Sequence, residues 1–192
     1  MFRNKIKILA VSGSLRANSS NAILLQAIEK MMPEDVEFFV YKGVGSLPHF
    51  DDADEMPITV SVWKKHLQEA DAVLVCSPEY AFGVPGSLKN AFDWTVGSGD
   101  MVNKPLVLIT ASTGGEKAHA AWLQIFKALS ARIPESSALL ISFVRSKLSA
   151  AGEISDAITA AAIQLAMEKL ILMVKENTAT GDGITDTIQS LP

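Results

Sequence analysis

The chain has 192 residues, 48% of them hydrophobic and 20% charged, which is the size and make-up of one folded domain rather than of a disordered or fibrous chain. A formal net charge of −4 and a sequence pI of about 5.4 argue against a nucleic-acid footprint, which needs a basic face, but leave room for a local basic pocket. The single cysteine, Cys76, rules out an intramolecular disulfide, and the opening run MFRNKIKILAVSGS, broken by Lys7, lacks the long apolar region and cleavage site of a secretory signal, so a cytoplasmic protein is expected.

The short branched run KIKILAVS, Lys5 to Ser12, predicts a first strand. Asn21 to Met32 predicts a helix with Leu24, Ala27, Ile28 and Met31 on one face. Val36 to Tyr41 is the second strand, followed by a loop with Gly43, Gly45, Pro48 and the acids Asp51, Asp52, Asp54 and Glu55. Ile58 to Ala70 is helical, aligning Val60, Trp63, Leu67 and Ala70. AVLVCS at Ala72 to Ser77 and PLVLITA at Pro105 to Ala111 are the third and fourth strands, with a helix at Ser87 to Trp94 between them. Glu116 to Ala131 is a helix with Ala118, Ala121, Trp122, Ile125 and Leu129 inward, Ser137 to Val144 a fifth strand, and Ser155 to Val174 a closing helix. That helix is the most apolar late stretch, but Gln164, Glu168 and Lys169 mark it as packed rather than membrane-spanning. Beyond Asn177 the chain is polar and rich in Gly and Thr, so residues 1–176 are expected to form the domain and residues 177–192 a loosely ordered tail.

Strands that are apolar throughout are covered on both faces, as in parallel sheets. Five strand–helix alternations therefore predict an α/β, three-layer, doubly wound domain around a five-stranded parallel sheet. Ligands of such sheets lie outside the carboxyl ends of the strands, where the strand order switches.

Three loops sit at such ends. The first, GSLRANSSN at Gly13 to Asn21, lies between a strand and a helix. Its hydroxyls and amides, the unpaired N–H groups of the helix start and the guanidinium fork of Arg16 suit a phosphate; a polar cap beside a surface arginine is the alternative. It is neither a nucleotide-hydrolase P-loop nor a G-x-G-x-x-G fingerprint. The second, SPEYAFGVPGSLK at Ser77 to Lys89, is stiffened by Pro78 and Pro85 and offers Tyr80 and Phe82 as a shelf for a flat heterocycle, unless these rings fold back on the core. The third, ASTGGEK at Ala111 to Lys117, has paired glycines that allow close backbone approach, or is an ordinary strand–helix turn. His49, His66 and His119 have no metal-like spacing, Cys76 reads as a small core residue, and no G-x-S-x-G elbow is present.

Together, GSLRANSSN and PEYAFGVPGSLKNAFDW (Pro78 to Trp94) resemble the NADPH-dependent FMN reductase family, which is flavodoxin-like and includes quinone, azo-dye and chromate reductases. LPHF at Leu47 to Phe50 also looks like that family's loop after strand two, and the likeness extends over Lys5 to Val174. The resemblance implies that Ser14, Arg16, Ser20 and Asn21 hold the FMN phosphate. It implies that Pro78, Glu79, Tyr80 and Ala81 line the isoalloxazine, that Ser112, Thr113 and Gly114 close over its other edge, and that Lys89 to Trp94 are structural, near a dimer contact. Ala81 stands where the family usually has Asn, and Thr113 where Pro is common; these departures point to a looser or altered flavin site that keeps its backbone donors.

The resemblance implies an enzyme that passes hydride from NADPH or NADH to bound FMN and then to a quinone, azo compound, metal oxyanion or free flavin. It would act as a homodimer or homotetramer without nucleic acid or membrane, and without a side chain serving as acid or base. A flavodoxin-type electron carrier and a flavin-free binding or regulatory module on the same fold are the competing readings.

Overall fold

The structure is a computed structural model; it describes residues 5–51 and 55–188, with residues 180–188 described as backbone alone. Asp52 and Asp54 of the acidic loop lie outside the described residues. Five strands, β1 (Ile6–Ser12), β2 (Val36–Tyr41), β3 (Ala72–Ser77), β4 (Leu106–Ala111) and β5 (Ala138–Ile141), form one sheet in the order β2-β1-β3-β4-β5. Every pairing is parallel. The helices are α1 (Ser20–Lys30), α2 (Ile58–Glu69), α3 (Gly86–Asp93), α4 (Glu116–Ala128) and α5 (Ala157–Ile188). The expected α/β doubly wound, five-stranded architecture is the one observed.

Burial explains the sequence pattern. β3 and β4 are covered on both faces, and every residue in them is buried, so AVLVCS and LVLITA have no polar face to alternate. β2 and β5 are the sheet edges and break the apolar-throughout expectation, with Glu37, Phe39 and Leu140 exposed. Two cores flank the sheet. One is aromatic: Trp63 of α2, Phe92 of α3 and Trp122 and Phe126 of α4 pack with Tyr41, with Leu9 and Val11 of β1 and with Val73 and Val75 of β3. The other is aliphatic: Leu24, Leu25 and Ile28 of α1 meet Ile163, Met167, Leu170 and Val174 of α5 across Ile8, Ala10, Leu74 and Ile109.

Three boundaries differ from expectation by three residues or more. β5 stops at Ile141 instead of Val144, because Phe143 takes a left-handed φ of 54° and turns the chain into the 3-10 segment Val144–Lys147. α4 stops at Ala128 instead of Ala131: Ser130 adopts φ 57°, and the amides of Ser130 and Ala131 return to the carbonyls of Lys127 and Phe126. α5 runs on past Asn177 to Ile188, so the polar composition of the tail does not end the helix. Its stretch Ala157–Ala179 is long and apolar enough to cross a membrane by length and composition, yet one face of it is the cover of the aliphatic core.

Candidate functional site

A cavity of about 520 Å3 opens outside the carboxyl ends of β1, β3, β4 and β5, within the size range of small-ligand sites. β1 has β2 on one side and β3 on the other, so the loops leaving β1 and β3 part at the reversal of strand order, where doubly wound sheets bind ligands.

The first wall is the loop after β1. Gly13 lets it pass close to the next loop: a Cβ there would stand 3.0 Å from Pro78 Cδ and from Ser77 Oγ. The Ser14 amide donates to Ser12 Oγ, the Arg16 amide reaches Ser14 Oγ at 3.4 Å, and the Ser19 amide donates to the Arg16 carbonyl. Ser19 caps α1, its hydroxyl accepting from the Ala22 amide at 3.1 Å. The amides of Ser20 and Asn21 have no carbonyl of their own helix to donate to. Ser14, Arg16, Ser20 and Asn21 all line the cavity, as expected, and Ser19 joins them. Arg16 is exposed and makes no ion pair among the described residues. Asn21 is different in kind: it is buried, its Nδ2 donates to the Ala111 carbonyl at 3.0 Å, and its Oδ1 accepts from Cys76 Sγ at 3.2 Å. Its amide thus ties the start of α1 to β3 and β4.

The second wall is the loop after β3. Pro78, Glu79 and Tyr80 line the cavity, and the Tyr80 hydroxyl donates to Ser14 Oγ at 3.3 Å, joining the two loops across its mouth. Tyr80 is half exposed, so its ring has not folded onto the core. Glu79 also reaches α4. Its Oε2 accepts from the Ala118 amide at 2.8 Å, placing a carboxylate on the first turn of that helix. Ala81 is not part of the cavity wall. It occupies a tight turn with Phe82, at φ 49° and 58°, between Tyr80 and Gly83. Farther along, Asn90 and Trp94 fasten the LPHF loop: Asn90 Nδ2 and Trp94 Nε1 both donate to the Pro48 carbonyl, and Asn90 Oδ1 accepts from the Phe50 amide. That bracing is the structural part played by the NAFDW segment.

The third wall combines the loop after β4 with the segment after β5. Ser112 and Thr113 line the cavity; Gly114 does not. The amides of Phe143 and Val144 donate to the carbonyls of Thr113 and Ser112, and the Ser112 amide donates to the Ile141 carbonyl. This lacing brings Phe143, Val144, Arg145 and Ser146 onto the cavity. Sequence reading misses all four because it extends β5 through Val144. The usable signal is position alone: VRSK follows the last strand at the same end of the sheet as the other three loops.

The remaining candidates have packing roles. Cys76 is wholly buried, which pushes its thiol far up from the usual range, so it is not poised as a nucleophile. His66 stacks on Phe39 with ring centres 4.8 Å apart, and His119 shares a hydrogen bond with the Thr110 hydroxyl at 2.9 Å.

Comparison with known proteins gives this cavity a context. A model of the NADPH-dependent FMN reductase family matches residues 6–145. The chain is 31% identical over 116 residues to a quinone reductase of Escherichia coli K12, a match covering 57% of this chain and 62% of that protein. It is thus matched to less than two thirds of the quinone reductase's length. Against subunit 2 of an NADH-dependent flavin reductase of Lactobacillus johnsonii it is 29% identical over 182 residues, 89% of this chain and 98% of the other. Among solved structures, FerB, a flavoenzyme NAD(P)H:(acceptor) oxidoreductase from Paracoccus denitrificans, superposes with a TM-score of 0.71 at 25% identity, covering 89% of this chain and 98% of its own. The flavodoxin-like sheet, the loop signatures at its carboxyl edge and a match over most of the chain agree: the protein belongs to the NADPH-dependent FMN reductase family.

Proposed function

We propose that the protein binds FMN in the cavity and, with NADH or NADPH as hydride donor, reduces small acceptors of the quinone, azo, metal-oxyanion or free-flavin class. The observation that carries this reading is the joining of Arg16, the serine hydroxyls and the α1 amino terminus to Tyr80 in one cavity, through the Tyr80–Ser14 hydrogen bond. The residues present fit the cofactor: an arginine without an acid partner among the described residues and a helix start suit a phosphate monoester, and an aromatic shelf with a proline-stiffened backbone suits a flat ring system.

FMN, when bound, supplies the exchange of two electrons with nicotinamide and acceptor; the protein supplies position and electrostatics. Arg16 and Ser20, with the first-turn amides, would anchor the phosphate. Pro78, Glu79 and Tyr80 would form one side of the ring site and Ser112 and Thr113 the other, while Gly114 acts behind them as backbone. The dipoles of α1 and α4 both direct positive ends toward the cavity side of the sheet, favouring extra negative charge there. Ala81, in the turn just beyond Tyr80, lies outside the wall, and the backbone around it supplies the donors on that side. We further propose that residues 1–176 suffice for this site, and that the protein works in the cytoplasm as a homodimer or homotetramer.

The purified protein is expected to be yellow or to take up added FMN, and the flavin absorbance should bleach anaerobically on adding NADH or NADPH. Persistence of the oxidised spectrum with both donors refutes the reductase reading.

A further inference from the structure

We propose that Arg145 is a second phosphate-binding arginine of the cavity, paired in function with Arg16, and that it makes the site select FMN over unphosphorylated riboflavin. This rests on the flavin reading and names a residue for it that the loop signatures do not contain.

The described residues include three arginines. Arg132 donates to Asn177. The other two, Arg16 and Arg145, are both exposed, both make no ion pair among the described residues, and both line the one cavity. Two uncompensated guanidinium groups facing a shared space repel one another and are stabilised by an anion between or beside them. Glu79 is the carboxylate in that wall, and its Oε2 is engaged by the Ala118 amide.

Backbone geometry braces the segment that carries Arg145 between the loop after β4 and α1. The start of α1 and the Val144–Lys147 turn dock on adjacent carbonyls: Asn21 Nδ2 on that of Ala111, the Val144 amide on that of Ser112. Gly152, farther along the same connection, abuts Ile23 of α1, where an added Cβ would lie 3.3 Å from Ile23 Cγ2. Val144 is buried in the aliphatic core with Leu24 and Leu25, which fixes the turn that carries Arg145. Arg145 therefore projects from a braced segment packed against the helix whose amino terminus is the expected phosphate seat. A planar fork held this way recognises phosphate oxygens in pairs, which a lysine does not reproduce.

The experiment is titration of flavin-free protein with FMN and with riboflavin, read by quenching of flavin fluorescence, for wild type, R16A, R145A and R145K. R145A is expected to weaken FMN binding about tenfold or more, the loss of a hydrogen-bonded charge on an anion. Riboflavin affinity and the flavin-free melting temperature should stay as in wild type, since Arg145 has no partner among the described residues to orphan. R145K is expected to fall between. Unchanged FMN affinity in R145A overturns the proposal, as does an equal loss for FMN and riboflavin. It is also overturned if R145A raises the KM for NADPH but not for NADH at unchanged FMN affinity, which would assign Arg145 to the nicotinamide's extra phosphate. Wild-type protein that takes up neither flavin defeats the flavin reading itself, and this inference with it.

Discussion

Ala81 and Phe82 occupy the central positions of a two-residue turn whose flanks, Tyr80 and Gly83, exchange backbone hydrogen bonds at 3.0 and 2.9 Å. Positive φ at both positions is the mark of a type I′ turn, for which Asn-Gly is the favoured pair. Alanine and phenylalanine each hold that conformation at a cost of about 1–3 kcal/mol. Phe82 is 83% exposed, so little packing offsets the strain. The double variant A81N/F82G is therefore expected to be more stable than wild type by about 1 kcal/mol, read as a higher midpoint of urea unfolding; a lower midpoint would show that the exposed ring stabilises the loop after all. This turn also shows where the site is legible in sequence and where it is not. Ser14, Arg16 and Ser20 are readable because a glycine, hydroxyls and an arginine between a strand and a helix have a direct physical use. Ala81 is read into the ring site from its neighbours, but it lies off the cavity wall at a positive φ that leaves no trace in an alanine. Asn21 reads as a ligand group, whereas its buried amide holds β3 and β4 to α1, a long-range partnership that local sequence does not encode.

At the level of elements, what the pattern of apolar residues reveals is the existence and order of strands and helices; what it hides is how they end. Ser130 and Phe143 end α4 and β5 by entering the left-handed region, and neither is the glycine that normally announces such a stop. Phe126, a core residue of α4, loses out in the sequence pattern to Ile125 and Leu129, which are only partly buried, because neighbouring apolar residues compete for one helical face. The start of α4 provides a cleaner rule. Gly114 and Gly115 look equivalent in sequence but not in space. A Cβ on Gly114 would meet the far end of the Glu116 side chain at 3.0 Å, which can swing aside. On Gly115, at φ 120°, it would stand 2.8 Å from Leu140 Cδ1 and 3.2 Å from Thr110 Cγ2, in a backbone conformation that side chains resist. G115A is expected to lower stability by about 2 kcal/mol or more, combining strain and overpacking, while G114A changes it by less than about 0.5 kcal/mol, as surface substitutions usually do. Thermal melts of the two variants side by side check this, and equal losses would remove the distinction.

For the whole molecule, the groups whose protonation is tied to folding act at both ends of the pH range and leave a plateau between. Burial lowers the pKa of His119 below 6.5, so on acidification the unfolded chain takes up that proton first and stability declines below about pH 6.5. Asp156, just ahead of α5, is held below 3.8 chiefly by hydrogen bonds from the Thr159 hydroxyl and then the Thr159 amide, with Lys147 adding to them. Its contribution is present above pH 3.8 and is lost as pH falls through the lower folded value, so it adds a second acid step of the same sign. Cys76 and Tyr41 work in the opposite direction: burial raises both above their usual values of 9.0 and 10.0, the folded chain keeps these protons longer, and stability falls as pH climbs past about 9 and further past 10. Urea midpoints measured across pH should therefore be level from about 7 to 8 and drop on both sides. H119Q should remove most of the decline between about pH 6.5 and 5 while leaving the lower step in place. D156N should be weaker than wild type at about pH 7, and its deficit should shrink as pH falls below about 4, because wild type loses the same carboxylate by protonation. A wild-type midpoint that rises between about pH 7 and 5 would mean that some other group, protonated more readily in the folded chain, outweighs His119.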